Sequence, residues 1–338
     1  MKVIVWAARL PVALVLSFIA AGSAGAEDIK LGVVQTLAVG PAFVAQERGY
    51  FAAEKFNAEL VYFDAAQPIA IAAASGDIDF GMTGMSAAFY NLAGQGVLRI
   101  IAAGNREMPG FKNAGYIVSN RAYDSGLTAL RQLAGHSVAV TQVGSQLHYD
   151  LGLVAEKYRL DLKDIRLLAL QSNTNVSSAI VGGQVDVAVF PVTPAMQLIS
   201  RGDAKLLGWV GDEVPYGQPN TVFVSTKTAN ENAAKVERFL RALRKGARDY
   251  HDAFADASEQ RRDGPDVSEM LALLAKYTHQ QVEDIRIAIP WLDRDLQLDV
   301  QDVRRQIDWF RTQGQLKAIV KADDIVDLRY ARPLPGRD

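Results

Sequence analysis

The 338-residue chain contains no cysteine. That excludes a disulfide framework, thiolate metal sites, a cysteine nucleophile and a lipid-modified cysteine at a processed N-terminus. Histidine is scarce: His136, His148, His251 and His279 stand far apart, a spacing that suggests no metal centre. No marked excess of either charge is present, with 36 Lys+Arg against 38 Asp+Glu, so neither nucleic acid nor an anionic membrane is indicated as a partner. The sequence also lacks a G-x-x-x-x-G-K phosphate loop, a G-x-S-x-G elbow, an H-E-x-x-H pair and a G-x-G-x-x-G turn. Its one long apolar run, residues 11–21, follows Arg9 and is too short for a hydrocarbon core of ~30 Å.

That run has another reading. Lys2 and Arg9 precede it and the small residues Ala24, Gly25 and Ala26 follow it, the pattern of a secretory signal peptide cleaved after Ala26. The expected product is an exported, freely diffusing monomer of a Gram-negative periplasm. Without Lys2 and Arg9 its formal charge is −4, from 34 Lys+Arg and 38 Asp+Glu. The remaining chain is long enough for two domains with separate cores.

Strand-like apolar runs alternate with helical patterns of 10–15 residues, which implies parallel βαβ units. One unit starts at "DIKLGVVQT" and a second, of the same order, at "HSVAVTQVGSQLHYDLGLVAEKY". "AIAAASGDIDFGMTG" and "SSAIVGGQVDVAVFP" show one device written twice: a helix end, a glycine turn, an acidic residue and a buried strand. Gly76 and Gly183 are expected to end helices, and Asp79 and Asp186 to open strands and satisfy local turn amides. The alternative, a cation held by Asp77 and Asp79, lacks a third ligand nearby. "NAGYIVSN" (113–120) and "NTVFVSTK" (220–227) form a second similar pair, read as strands crossing between two lobes. Beyond Thr228 the chain turns to amphipathic helices, with Val236, Phe239, Leu240 and Leu243 on one stripe.

The stretches "GYFAAEKFNAELVYFD", "ASGDIDFGMTG", "LAGHSVAVTQVGSQLHYDLG", "GGQVDVAVF" and "IDWFRTQGQLK" with "DDIVDLRY" together resemble the nitrate/taurine/sulfonate type of periplasmic substrate-binding protein of ABC transporters. That family also includes thiamine-pyrimidine-type proteins. The resemblance runs from about Asp28 to about Arg332, and the order of the motifs carries it. It implies a two-lobed α/β fold of type II connectivity, two parallel-sheet lobes joined by a two-strand hinge. Lobe 1 would comprise residues 27–118 and 222–338 with the C-terminal helices, and lobe 2 residues 119–221. It further implies a ligand in the cleft, hinge closure around it, and a membrane permease with its ATPase as partners. No cofactor and no metal are expected.

Loops after parallel strands lead into helix N-termini, where N–H groups and the helix dipole attract anions. The candidate ligand-binding residues therefore follow strands: Gln35, Thr36 and Leu37; Thr83, Gly84, Met85 and Ser86; Gln142, Gly144, Ser145, Gln146 and His148; Asn173 and Asn175; Phe190, Pro191 and Thr193. Gln67 and Tyr216 join them. Gly84 and Gly144 would let a ligand approach backbone amides, while Thr83 and Ser86 would equally serve as helix caps. Arg106 is a candidate for an acidic group, with an exposed surface position as its alternative. Phe43, Met85, Tyr90, Tyr149, Phe190 and Tyr216 suggest an apolar, aromatic body. The expected ligand is thus a small organic anion, a sulfonate or carboxylate. Two competitors are a biosynthetic enzyme on the same fold and a sensor that presents ligand to a receptor. The yeast-type pyrimidine synthase pattern needs a cysteine cluster that this chain lacks.

Overall fold

The computed structural model describes Met1, Val3 and residues 25–335. Apart from Met1, Val3, Gly25 and Ala26, the signal peptide expected over residues 1–26 lies outside the described residues. Among the described residues, no helix is long and apolar enough to cross a membrane.

Ten strands build two five-stranded sheets. In chain order they are β1 (Glu27–Val34), β2 (Phe56–Phe63), β3 (Phe80–Gly84), β4 (Leu98–Ala103), β5 (Ala114–Ser119), β6 (Ser137–Val140), β7 (Arg166–Ala169), β8 (Val187–Pro191), β9 (Ala204–Trp209) and β10 (Asn220–Ser225). The sheet orders are β2-β1-β3-β10-β4 and β7-β6-β8-β5-β9, so the second unit repeats the topology of the first. Within each sheet the first three strands are parallel, and the fourth position holds an antiparallel strand. Strands β3, β6 and β8 are almost wholly buried, which is why they read as continuous apolar runs and not as alternation.

The two look-alike segments found in the sequence are the antiparallel members. Strand β5 pairs with β8 and β9 in the second sheet, and β10 pairs with β3 and β4 in the first. The chain therefore passes between sheets before β5 and again before β10, a few residues ahead of the divisions expected at 118/119 and 221/222. A hydrogen-bonded strand belongs to the sheet whose ladder it completes.

The duplicated acidic device has one structural role in both copies. Asp79 Oδ2 accepts from the backbone N–H of Lys30 at 2.8 Å, and Asp186 Oδ2 from that of Ser137 at 2.9 Å. Each carboxylate, standing just ahead of its own strand, thus holds a backbone N–H of the neighbouring parallel strand, 49 residues away in both cases, and not a local turn amide as expected. Gly76 ends its helix with φ +87°, a left-handed conformation. In the second copy Gly182 is the cap, and Gly183 takes the left-handed position.

The C-terminal helices complete the first lobe. Helix Ala233–Phe254 buries Val236, Phe239, Leu240 and Leu243 against the first sheet, with Phe239 stacked on Phe80 at 3.7 Å. It crosses helix Gly40–Glu47 at Gly246, where a Cβ would stand 2.3 Å from the Pro41 carbonyl oxygen; only glycine permits that approach. Helix Val300–Thr312 lays Val303, Ile307 and Phe310 on the same lobe. Its Trp309 reaches over to the second lobe, edge-on to His148 and Tyr149 at 5.1 and 5.3 Å.

Candidate functional site

A cleft of about 640 Å3 of atom-free space, mouth included, lies between the two sheets. Its walls come from the ends of strands: Val34, Thr36, Ala38 and Val39 after β1, Asp64, Ala65 and Ala66 after β2, and Thr83 and Gly84 from β3. The second lobe supplies Thr141, Ser145, Gln146, Leu147 and Asp150 beyond β6, Asn173 beyond β7, and Pro191 at the end of β8. Asn113, Ala114, Pro219 and Asn220, at the two crossings, close the back. In a sheet of this kind every loop at the carboxyl edge opens toward the same side, so one cleft collects them all.

Helix starts converge on this space. Helix Gln146–Tyr158 is capped by Ser145 Oγ, which accepts from His148 N, and helix Asn173–Val181 by Ser172 Oγ, which accepts from Asn175 N. Helix Ala66–Ser75 begins in the wall itself. The first-turn N–H groups of such helices have no carbonyl partner four residues back.

The two lobes are tied across the cleft by hydrogen bonds. Leu37 N–H donates to Thr193 Oγ1 at 3.0 Å, Ala87 N–H to the Gly144 carbonyl at 2.8 Å, and Gln67 Nε2 to the Val143 carbonyl at 3.0 Å. Gln67 N–H also meets Gln142 Oε1 at 3.4 Å. Leu37, Gln67, Gln142, Gly144 and Thr193, all expected to touch ligand, therefore join lobe to lobe. Gly144 is small for that contact: a Cβ there would stand 2.9 Å from Gln315 Oε1 and 3.0 Å from Ala87 Cβ.

Of the expected ligand contacts, Thr36, Thr83, Gly84, Ser145, Gln146, Asn173 and Pro191 do line the cleft. Gln35 lines an opening that shares Val34, Asp64 and Asn173 with it. Ser86 caps helix Ala87–Gly94, accepting from Phe89 N. Asn175, exposed, donates from Nδ2 to the Leu170 carbonyl. His148 is structural: Gly144 N–H donates to its Nδ1 at 3.1 Å, and burial pushes its pKa down to about 4. Its ring is therefore neutral at physiological pH.

The expected aromatic lining is not there. Phe43 and Phe190 are wholly buried in the cores, and Met85, Tyr90 and Tyr149 are buried behind the cleft. Tyr216, with φ +72°, sits at the crossing with its ring 6.0 Å from the Arg106 guanidinium. Large apolar side chains that follow strands are drawn into the core because burial removes the most surface from water there. What the cleft offers as apolar surface is aliphatic: valine, alanine, leucine and proline. Arg106 is not an exposed residue but a buried one, paired to Asp299 at 3.0 Å.

Several wall residues went unread in the sequence. Asp64 and Thr141 directly follow strands and obey the rule already applied to other loops. Asn113 and Asn220 open the two look-alike segments, so the internal repeat itself marked them. Asp150 had no local signal. It lies four residues past Gln146 on one helix, and Gln146 Nε2 donates to its Oδ1 at 3.0 Å. Burial raises its pKa well above the usual carboxylate range, and the nearby Glu107 adds to the effect. Asn113 connects the wall to Glu107, donating from Nδ2 to Oε1 at 2.6 Å. No lysine, arginine or histidine is among the lining residues. Nor do the described residues hold a cluster of three or more His, Cys, Asp or Glu fit for a metal ion.

Residues 37–256, which carry nine of the ten strands of the two sheets, match the family model described as NMT1/THI5 like. The chain belongs to this family. No curated protein matches the sequence. Solved structures share the family's fold. The alkanesulfonate-binding protein SsuA from Xanthomonas axonopodis pv. citri, bound to MOPS, superposes with a TM-score of 0.72 at 20% identity, over 90% of this chain and 99% of that one. The periplasmic aliphatic sulphonate binding protein SsuA from Escherichia coli gives 0.69 at 18%, over 92% and 95%. The periplasmic nitrate-binding protein NrtA from Synechocystis PCC 6803 gives 0.69 at 13%, over 88% and 86%. At such identities the likeness is one of fold, and it agrees with two α/β lobes facing each other across a cleft.

Proposed function

We propose that this chain is the extracytoplasmic solute-binding component of an ABC importer, a periplasmic monomer that captures a small organic molecule and delivers it to a membrane permease coupled to an ATPase. The observation that carries the reading is the cleft itself. Its walls are divided between two sheets, and its edges are tied by hydrogen bonds that exist only while the lobes meet, as in hinge closure around a ligand. Converging helix starts favour an acidic group such as a sulfonate or carboxylate at one end of the solute, and the aliphatic wall suits a short apolar body. The solved relatives named as sulfonate- and nitrate-binding proteins support the same class of ligand.

Binding, and not turnover, is the role we assign. The Ser145 hydroxyl accepts from His148 N–H, and no histidine shares the cleft to act as a base. The test is thermal unfolding of residues 27–338 against sulfonates, carboxylates, nitrate and pyrimidines, followed by mass spectrometry of the recovered solute. A true ligand at 100 times its Kd adds about 2.7 kcal/mol of stability and is recovered unchanged. Chemical conversion of the stabilising compound would replace this reading by an enzyme.

A further inference from the structure

The cleft holds acceptors that nothing in the protein satisfies. Asp150 Oδ2, Gln146 Oε1 and Asn173 Oδ1 are all shielded from solvent and without a hydrogen-bond partner. Asp150 is 2% exposed and Gln146 7%. The Gln146 amide is committed at its nitrogen to Asp150 Oδ1, which leaves its oxygen open. Buried acceptors are rarely left unmatched in native proteins, and each such group calls for a donor from outside the chain.

Charge points the same way. Asp64 and Asp150 are the acidic residues of the wall, no basic side chain opposes them there, and a cation beside the buried Asp150 would favour its ionised, accepting form. The carboxylates that act on Asp150 from neighbouring elements are Glu107, ahead of β5, and Asp302, on helix Val300–Thr312. Both are buried. Of the basic groups in that region, Arg106 is engaged with Asp299, Arg305 with Asp302 and Lys112 with Asp212. A bare anion placed against this wall would meet carboxyl oxygens and no cationic side chain.

We infer that Asp150, together with Gln146 Oε1 and Asn173 Oδ1, determines specificity by accepting from an N–H-bearing group of the ligand, a primary ammonium or an amidinium. This rests on the solute-binding reading and narrows it: the solute carries a nitrogen donor, with any acidic group directed to the helix starts. Asp64, exposed at the rim, adds attraction without selecting geometry.

The experiment uses residues 27–338 and matched pairs that differ in the nitrogen donor: 4-aminobutyrate with butyrate, 4-aminobenzoate with benzoate, 4-(aminomethyl)benzenesulfonate with 4-methylbenzenesulfonate, and benzamidine with benzyl alcohol. Equilibrium dialysis of the mixture, read by mass spectrometry, gives retention by the wild type, by Asp150→Asn and by Asp64→Asn. The expected result is retention of at least one nitrogen-bearing member, at least tenfold over its counterpart. Asp150→Asn should lower that retention at least tenfold while keeping a folded thermal transition, and Asp64→Asn less than threefold. Equal retention of both members in every pair that is retained, or unchanged retention by Asp150→Asn, overturns the inference and leaves the solute-binding reading standing. The second result would mean that Asp150 acts as a protonated donor, a role asparagine can fill. Retention of none of these compounds, with stabilisation by a solute of the wider panel that has no nitrogen donor, overturns the inference alone; no stabilisation by any compound of either panel overturns both.

Discussion

Glu107 lies in the crossing between the lobes and should make the protein less stable as pH rises. Its side chain is 2% exposed, Oε1 accepts from Asn113, and Oε2 has no partner. Burial raises the carboxyl from its ordinary 4.5 to about 7, with Asp212 adding to the rise and Asn113 and Lys112 opposing it. The folded state therefore holds a proton that the unfolded chain releases first. Stability from this group is complete below about pH 4.5 and is lost as pH climbs through about 7. At about 1.36 kcal/mol per pH unit the loss is roughly 3 kcal/mol. Glu107→Gln removes the titration. Because Asn113 fixes the glutamine oxygen at Oε1, the new amide nitrogen takes the unpartnered position, and that alone costs about 1–3 kcal/mol at every pH. The offset between the proteins is thus uninformative, and the slope is the test. Guanidinium unfolding of both between pH 4.5 and pH 8.5 should show a difference in stability that changes by roughly 3 kcal/mol in favour of the variant toward high pH. Asp293 and Asp302, raised by burial as well, titrate in both proteins and cancel, whereas Asp150, whose rise Glu107 enlarges, is relieved in the variant and adds to the change in the same direction. Two curves that stay parallel to within about 1 kcal/mol would refute the argument.

Two further outcomes follow from contacts described above. A Cβ at Gly152 would stand 2.3 Å from Trp309 Cζ2, so Gly152→Val should hold helix Gln146–Tyr158 off helix Val300–Thr312, weaken ligand binding by about tenfold or about 1.4 kcal/mol, and enlarge the radius of gyration in solution scattering; unchanged affinity would show that closure does not need this contact. Asp79→Ala and Asp186→Ala each remove a carboxylate that accepts from the next strand's N–H, and each should cost about 1–3 kcal/mol in chemical denaturation with ligand affinity preserved. Lost affinity at full stability would instead restore these carboxylates to a binding role.

The order of residues along the chain is enough to read the architecture. Apolar runs of strand length, their alternation with stretches of helical spacing, and the device written twice dictate two parallel α/β units, because buried parallel strands and their crossover helices leave those patterns locally. The loops that follow strands were also legible, and Thr36, Thr83, Gly84, Ser145, Gln146, Asn173 and Pro191 were found that way. What local pattern cannot hold is the direction of a side chain relative to the other lobe. Phe43 and Phe190 fill cores, Leu37 and Thr193 join the lobes, and Arg106 is buried on Asp299 because segments distant in sequence pack together. Asp150 is the clearest case. On its helix it is one residue of a buried face, and its meaning comes from Gln146 one turn earlier, from Glu107 and Asp302 on other elements, and from a cleft that exists only when the two sheets face each other.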